Sequence, residues 1–272
     1  MLTRLRTFVL LMSILLMPVA SFAQTYLPGI QEIINKGKLV VSIHAYDSPP
    51  MFNKDPQGEL VGYDIALAHY LGQNLGVPVE FVRTAKTFDE VVDVVNAGKA
   101  DIAVSLLTPN LTRARKVYFT QPYIYLKKLL AYNRLAAAQY KLSDPANQIS
   151  QMELKIGVLK GSSYINYAKR YYPSATLVLF PTVGEALSAV ESGEIFAFFG
   201  NSANVPYTLE QDKDMNLYVE ISTLNSQIDP IAIAVSGKYP ALVSWIDLAL
   251  KLRPDEISKK AFEEKYTHTG VQ

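Results

Sequence analysis

Three features of the sequence predict an α/β fold made of two similar lobes. Strand-length apolar runs alternate with helix-period segments. The alternation runs through both halves of the chain, and an alternating order argues for mainly parallel strands flanked by helices. Finally, the segment "TFDEVVDVVNAGKADIAVS" (87–105) aligns without gaps on "TVGEALSAVESGEIFAFFG" (182–200). Thr, Glu, Val and Gly coincide at 87/182, 90/185, 95/190 and 98/193. The shared unit is a helix, a glycine stop and a buried strand, which suggests two lobes rather than one sheet.

The elements follow in order. "LPGIQEIINKGKLVVSIH" reads as a short helix, a stop at Gly37 and a strand at Leu39–His44. In "GYDIALAHYLGQNLG", Ile65, Ala68, Leu71 and Leu75 share one helical face. "VPVEFV" is a strand, "TFDEVVDVVNAGK" a helix closed by Gly98, and "ADIAVSLL" the next strand. In the second half "LKIGVLKGSS" runs from strand into helix, "SSYINYAKRYY" is helical and "ATLVLF" is a strand. "TVGEALSAVESG" then forms a helix and "EIFAFFG" a strand. A strand is expected at Ile231–Val235, then helices near Ala241–Leu250 and Glu256–Lys265, separated by Pro254.

The first residues read as an export signal. Arg4 and Arg6 precede the apolar run Phe8–Met17, Pro18 breaks it, and Ser21-Phe22-Ala23 offers small residues for cleavage after Ala23. The run is short for a bilayer span. Cleavage leaves 24 basic against 25 acidic residues, a balance that gives no reason to expect nucleic acid as a partner. The sequence contains no cysteine, so neither a disulfide nor a lipid-modified cysteine is available. The three histidines are scattered and HExxH, GxxxxGK[ST] and GxGxxG are missing, so neither metal nor cofactor is expected. A free, monomeric periplasmic protein fits these features.

In such lobes, ligands bind beyond the carboxyl ends of strands. Those ends are Ser105–Thr108 in one half and Gly200–Ser202 in the other. Thr108 can cap a helix starting at Pro109, whose free N–H groups suit an anion. Arg113, a turn further on, has the planar fork that matches a carboxylate. Arg115 lies about 200° around from it, so both cannot face one ligand. Solvated arginines are the competing reading. Ser162 and Ser163, after Gly161, could hold a carboxylate or simply cap a helix. Asn201-Ser202 falls one residue short of a nucleophile elbow, since Asn204 replaces the last Gly; Asp229 and His268 follow in hydrolase order.

Taken together, these segments resemble the family 3 extracellular solute-binding proteins, the amino-acid-binding components of ABC importers. "PPMFNKDPQGELVGYDIALAHYLG" resembles the family's P-P-F and D-x-x-G-x-x-x-G-[FY]-D-x-D-L-A signature. "GKADIAVSLLTPNLTRARKVYFTQPYIY" resembles its G-K-x-D…T-x-x-R stretch and F-[ST]-x-P-Y, and "LKIGVLKGSSY" its second-lobe strand and turn. The resemblance covers nearly all of the chain after residue 23. It implies two α/β lobes closing on a ligand, lobe 1 being 24–132 plus 230–272 and lobe 2 being 133–229.

By the resemblance, Arg113 grips a ligand carboxylate, Ser105 and Thr108 contribute carbonyl and hydroxyl contacts, Ser162 and Ser163 contact the carboxylate from lobe 2, and Phe88 forms a wall. Departures accompany these matches. Asn201 stands where the family usually has an Asp for the ligand ammonium, Ser48 where an aromatic ring precedes the P-P pair, and Ala45 where an acid sometimes stands. Asn201 could still accept a hydrogen bond, and Asp47 and Asp229 could compensate. The implied function is capture of a small carboxylate, whether amino acid, modified amino acid or organic acid, for a membrane ABC permease. The alternatives are a cyclohexadienyl-dehydratase-like enzyme using Glu185 or Asp47, and a ligand sensor for a membrane receptor.

Overall fold

The computed structural model describes residues 26–254, except the side chains of 225–227, and Phe262. The expected signal segment, His268 and, apart from Phe262, the second C-terminal helix lie outside the described residues.

Two five-stranded sheets organise the chain. The first lobe opens with helix α1 (Ile30–Lys36), strand β1 (Leu39–His44) and a two-stranded ribbon, β2 (Asn53–Lys54) and β3 (Leu60–Val61). Helix α2 (Tyr63–Leu75), β4 (Val79–Ala85), α3 (Phe88–Asn96), β5 (Ile102–Ala103) and β6 (Val117–Phe119) follow. Strand β7 (Ile124–Asn133) leads into the second lobe, with α4 (Arg134–Gln139), α5 (Pro145–Gln148), β8 (Lys155–Leu159) and α6 (Tyr164–Tyr171). Next come β9 (Thr176–Phe180), α7 (Val183–Glu191), β10 (Ala197–Asn201) and α8 (Asn204–Gln211). Strand β11 (Val219–Ile231) runs back to the first lobe, which β12 (Ala234–Ser236) and α9 (Pro240–Leu252) complete. The sheet orders are β4-β1-β5-β12-β6 and β11-β7-β10-β8-β9. Strands β1, β4 and β5 are parallel, as are β8, β9 and β10.

The internal repeat has a physical basis at each shared residue. Thr87 and Thr182 cap α3 and α7, each accepting from the N–H of the glutamate three residues on at 3.2 Å, as the T-x-x-E spacing requires. Val95 and Val190 are fully buried. Gly98 and Gly193 have φ +71° and +77°, a left-handed conformation that glycine adopts without strain just past a helix.

Two strands differ from expectation. The apolar run 100–107 predicts one strand, but β5 is only Ile102–Ala103. Leu106 turns to φ +50°, and its N–H is held by the buried Asp64 Oδ2 at 2.8 Å, a partner 42 residues away. The strand expected at Ile231–Val235 is split. Ile231 ends β11 by pairing with Ile124 of the second sheet, whereas β12 begins at Ala234 in the first.

Strands β7 and β11 form one antiparallel ladder linking the lobes. Ile124 and Leu126 pack into the first lobe's core, while Leu129 and Leu130 pack into the second's. The ladder's register slips between Thr223 and Ile228, at this handover. Lys128 and Asp229, both buried, sit beside it.

Candidate functional site

A cleft of about 400 Å³, including its open mouth, lies between the lobes. The first lobe contributes Phe88, Leu106, Thr108 and Arg113. From the second come Leu159 and Ser162–Tyr164, at the end of β8, together with Phe198–Asn201 and Asn204 around the end of β10. Asp229 enters from β11. Much of the lining comes from the ends of parallel strands and the helix starts that follow them, while Asp229 comes from the antiparallel ladder.

Arg113 is only 3% exposed. Its Nε donates to Asp89 Oδ1 at 3.0 Å, Nη2 lies 2.9 Å from the same oxygen as an ion pair, and Nη1 donates to the Thr108 carbonyl at 3.0 Å. Nη2 also donates across the cleft to the Gly161 carbonyl at 2.9 Å, tying the lobes together. No helix starts at Pro109, so the expected helix-end anion site is not formed. Arg113–Arg115 is a single 3₁₀ turn, and the Thr108 hydroxyl donates to Asp229 Oδ1 at 2.9 Å instead of capping. Arg115 is exposed.

Asp229 is 1% exposed, and burial pushes its carboxyl upward from the usual range, opposed first by Lys128, then by Thr108, Tyr164 and Arg113. The Tyr164 hydroxyl lies beside this carboxyl but misses hydrogen-bonding geometry. Tyr164 Oη, Asn204 Oδ1 and Asp229 Oδ2 are all buried without a hydrogen-bond partner. Orphaned polar atoms are rare in protein interiors, and these three border one cleft. Behind them Lys128 donates to the Ile228 carbonyl and sits 4.2 Å from the Tyr167 ring centroid; burial lowers its pKa, opposed by Asp229.

The other expected residues divide into two groups. Phe88 lines the cleft and stacks on His44 at 4.7 Å, and burial lowers the pKa of that histidine. Ser162 and Ser163 also line it, the Ser162 hydroxyl donating to the Leu159 carbonyl at 2.8 Å. Asn201 lines it too, but its Oδ1 already accepts from the N–H groups of Ala203 and Asn204 at 2.9 and 3.2 Å. Those two bonds leave the amide NH₂ as the free group of Asn201, and an NH₂ donates.

Ser105 is buried outside the lining, its hydroxyl accepting from His44 N–H at 3.0 Å. Ser48 lies behind the lining and meets Asn204 Nδ2 at 3.4 Å. Asp47 is paired with Arg83 at 2.7 Å, and Glu185 sits in the capping box of α7; neither borders the cleft. The Ser202 hydroxyl of the near-elbow accepts from Lys127 N–H. Tyr164 and Asn204 were not singled out as ligand contacts from sequence. Their signal is positional, since each is the first residue of a helix that follows a strand end.

Gly161 (φ +62°) has no room for a side chain: an added Cβ would lie 2.7 Å from Thr87 Cβ on the opposite lobe. Gly161→Ala is expected to hold the lobes apart and to cost about 1–2 kcal/mol from the left-handed conformation. Small-angle scattering should show an increased radius of gyration. An unchanged curve would reject this reading of the contact.

Two α/β lobes joined by a two-strand ladder, with a cleft of mixed polar and apolar side chains between them, define a protein built to enclose a small solute. The chain belongs to the bacterial extracellular solute-binding proteins, family 3, whose model matches residues 39–269. The ABC transporter arginine-binding protein 1 of Escherichia coli is 24% identical over 213 residues, 74% of this chain and 79% of its own length. The ABC transporter glutamine-binding protein GlnH of Bacillus subtilis is 26% identical over 223 residues, 78% and 76% of the two chains. Membrane-bound lytic murein transglycosylase F of Saccharophagus degradans is 31% identical over 132 residues, 48% of this chain but 26% of that protein. Among solved structures, an ancestral amino-acid-binding protein described as a precursor of cyclohexadienyl dehydratase has a TM-score of 0.73 at 28% identity, covering 88% of this chain and 99% of its own. An ancestral arginine-binding protein bound to arginine has a TM-score of 0.72 at 26% identity, covering 85% and 98%.

Proposed function

We propose that this protein captures a small carboxylate solute in the interlobe cleft and delivers it to a membrane ABC permease, acting as a monomer in the periplasm after loss of residues 1–23. The observation that carries the reading is the buried, cleft-facing guanidinium of Arg113. One of its five N–H groups goes to Asp89 and one to Thr108 within the same lobe, while one reaches Gly161 on the other. Opening the cleft frees that last N–H. Nη1 and Nη2 then present a fork that a carboxylate can occupy with two charge-assisted bonds. Thr108, Ser162, Ser163 and Phe88 complete the surroundings, with the lobes divided as 24–132 plus 230–272 and 133–229.

The relatives named for arginine and glutamine binding support solute capture, and the amino-acid relatives named as ABC transporter proteins support import. The test is calorimetric titration of the purified protein with amino acids, their des-amino carboxylates and uncharged amides of the same carbon skeletons. The expected result is binding confined to compounds with a carboxylate. Equal binding of the amides would overturn the reading.

A further inference from the structure

Asn201, which by the resemblance stands where an acid would meet a ligand's nitrogen, has its amide oxygen occupied by the N–H groups of Ala203 and Asn204. A cation entering the cleft therefore needs another acceptor. We propose that Asp229, on the second crossing strand, is the specificity-determining residue that receives the cationic nitrogen of the ligand. This rests on the carboxylate reading of Arg113 and adds the opposite pole to that site.

Three observations carry it. Asp229 borders the cleft, is 1% exposed, and has one oxygen on Thr108 and the other without a partner. A buried carboxylate oxygen is costly to leave unpaired, and a cationic donor is its best partner. The second observation is position. The Thr108 carbonyl touches Arg113 and the Thr108 hydroxyl touches Asp229, so the two poles are separated by the breadth of one residue. A ligand spanning them carries its nitrogen within a few bonds of its carboxylate.

The third observation is charge. Arg113 and Lys128 stand against Asp89 and Asp229 around the cleft, a neutral set. A zwitterion keeps it neutral. A simple carboxylate adds a negative charge, which Asp229 must absorb by taking up a proton. The groups facing Asp229 are Thr108 and Arg113 from the first lobe, Lys128 from β7, and Tyr164 and Tyr167 from α6. Burial already favours the protonated acid. A cation binding there opposes this, so in the pH range where Asp229 titrates, zwitterion binding releases protons and strengthens as pH rises. Binding of a simple carboxylate does the reverse.

The test is calorimetry on the purified protein with the twenty standard amino acids and their des-amino carboxylates, in buffers of different ionisation enthalpy. At least one amino acid is expected to bind roughly tenfold or more tightly than its des-amino partner, with proton release. Asp229→Asn, close to isosteric, is expected to remove that preference while des-amino binding persists. Proton release is read on the unmodified protein, so the test stands even if the variant folds poorly. The proposal is overturned if the des-amino compounds bind as well as the amino acids, if Asp229→Asn keeps the preference, or if binding takes up protons. It also falls if no amino acid binds. Binding of des-amino carboxylates alone would leave the Arg113 reading intact, whereas binding of neither class would remove both.

Discussion

Replacing Arg113 with alanine is expected to weaken carboxylate binding by roughly a hundredfold or more. Charge-assisted hydrogen bonds contribute about 1.5–3 kcal/mol each when sheltered, and the fork provides two. Arg113 is sheltered, being 3% exposed and packed between the two lobes. Arg113→Lys keeps the charge but loses the planar fork, and should recover only part of the affinity. Arg115→Ala, at an exposed site two residues away, should bind like the unmodified protein. Because Arg113 also ties Thr108 to Gly161, its loss should ease lobe opening while leaving the cores of both lobes in place. Titration of the three variants with one carboxylate decides the matter. Affinity of Arg113→Ala within twofold of the unmodified protein would remove Arg113 from the site.

The second large effect concerns stability. Asp64→Ala is expected to destabilise the fold by about 2–5 kcal/mol. Asp64 is fully buried, and its two oxygens accept from the Tyr123 hydroxyl at 2.7 Å and the Leu106 N–H at 2.8 Å. Truncation orphans both donors, each costing about 1–3 kcal/mol. It also releases Leu106 from its left-handed conformation, and Leu106 lines the cleft. Urea unfolding should show the loss, and a difference below 0.5 kcal/mol would contradict it. The pH response follows from the same burial, which pushes this carboxyl from 3.8 up to about 7 and outweighs its two donors. The folded state thus holds the proton more tightly than the unfolded one. The stabilising contribution is full below about pH 4, declines as pH rises, and is gone above about pH 7. Asp64→Asn should remove that slope.

What the sequence showed depended on how far each residue's partner lies along the chain. The helix starts at Thr87 and Thr182 were legible because the capping glutamate is three residues away. Thr108-Pro109 carries a similar local signature yet starts no helix, because its hydroxyl is engaged by Asp229, 121 residues on. The strand through Val104–Leu107 failed for the same reason, with Asp64 as the distant partner. Spacing alone left Arg113 balanced between solvent and ligand, and its burial is a tertiary fact. Asn201 is the reverse case. Its cap on Ala203 and Asn204 is local, and an Asn at the start of a helix could have been read as already occupied. Asp229 was visible as a lone acid in "QIDPIAIAV", but only the crossing ladder brings it to the cleft.

The order of the first sheet bears on how the chain comes together as it emerges. Every strand of the second sheet lies between residues 124 and 231, so that lobe has its whole sheet as soon as β11 appears. The first lobe does not, because β12, contributed by residues 234–236, sits between β5 and β6. Until it arrives, β6 has no neighbour in its sheet and β5 has an open edge. Joining β12 to β5 closes a loop of more than a hundred residues, a slow step unless the intervening segment is already compact. A second lobe that condenses first shortens that search, bringing the two ends of the gap together on its own paired strands. The part of the chain made first is therefore the part that finishes folding last.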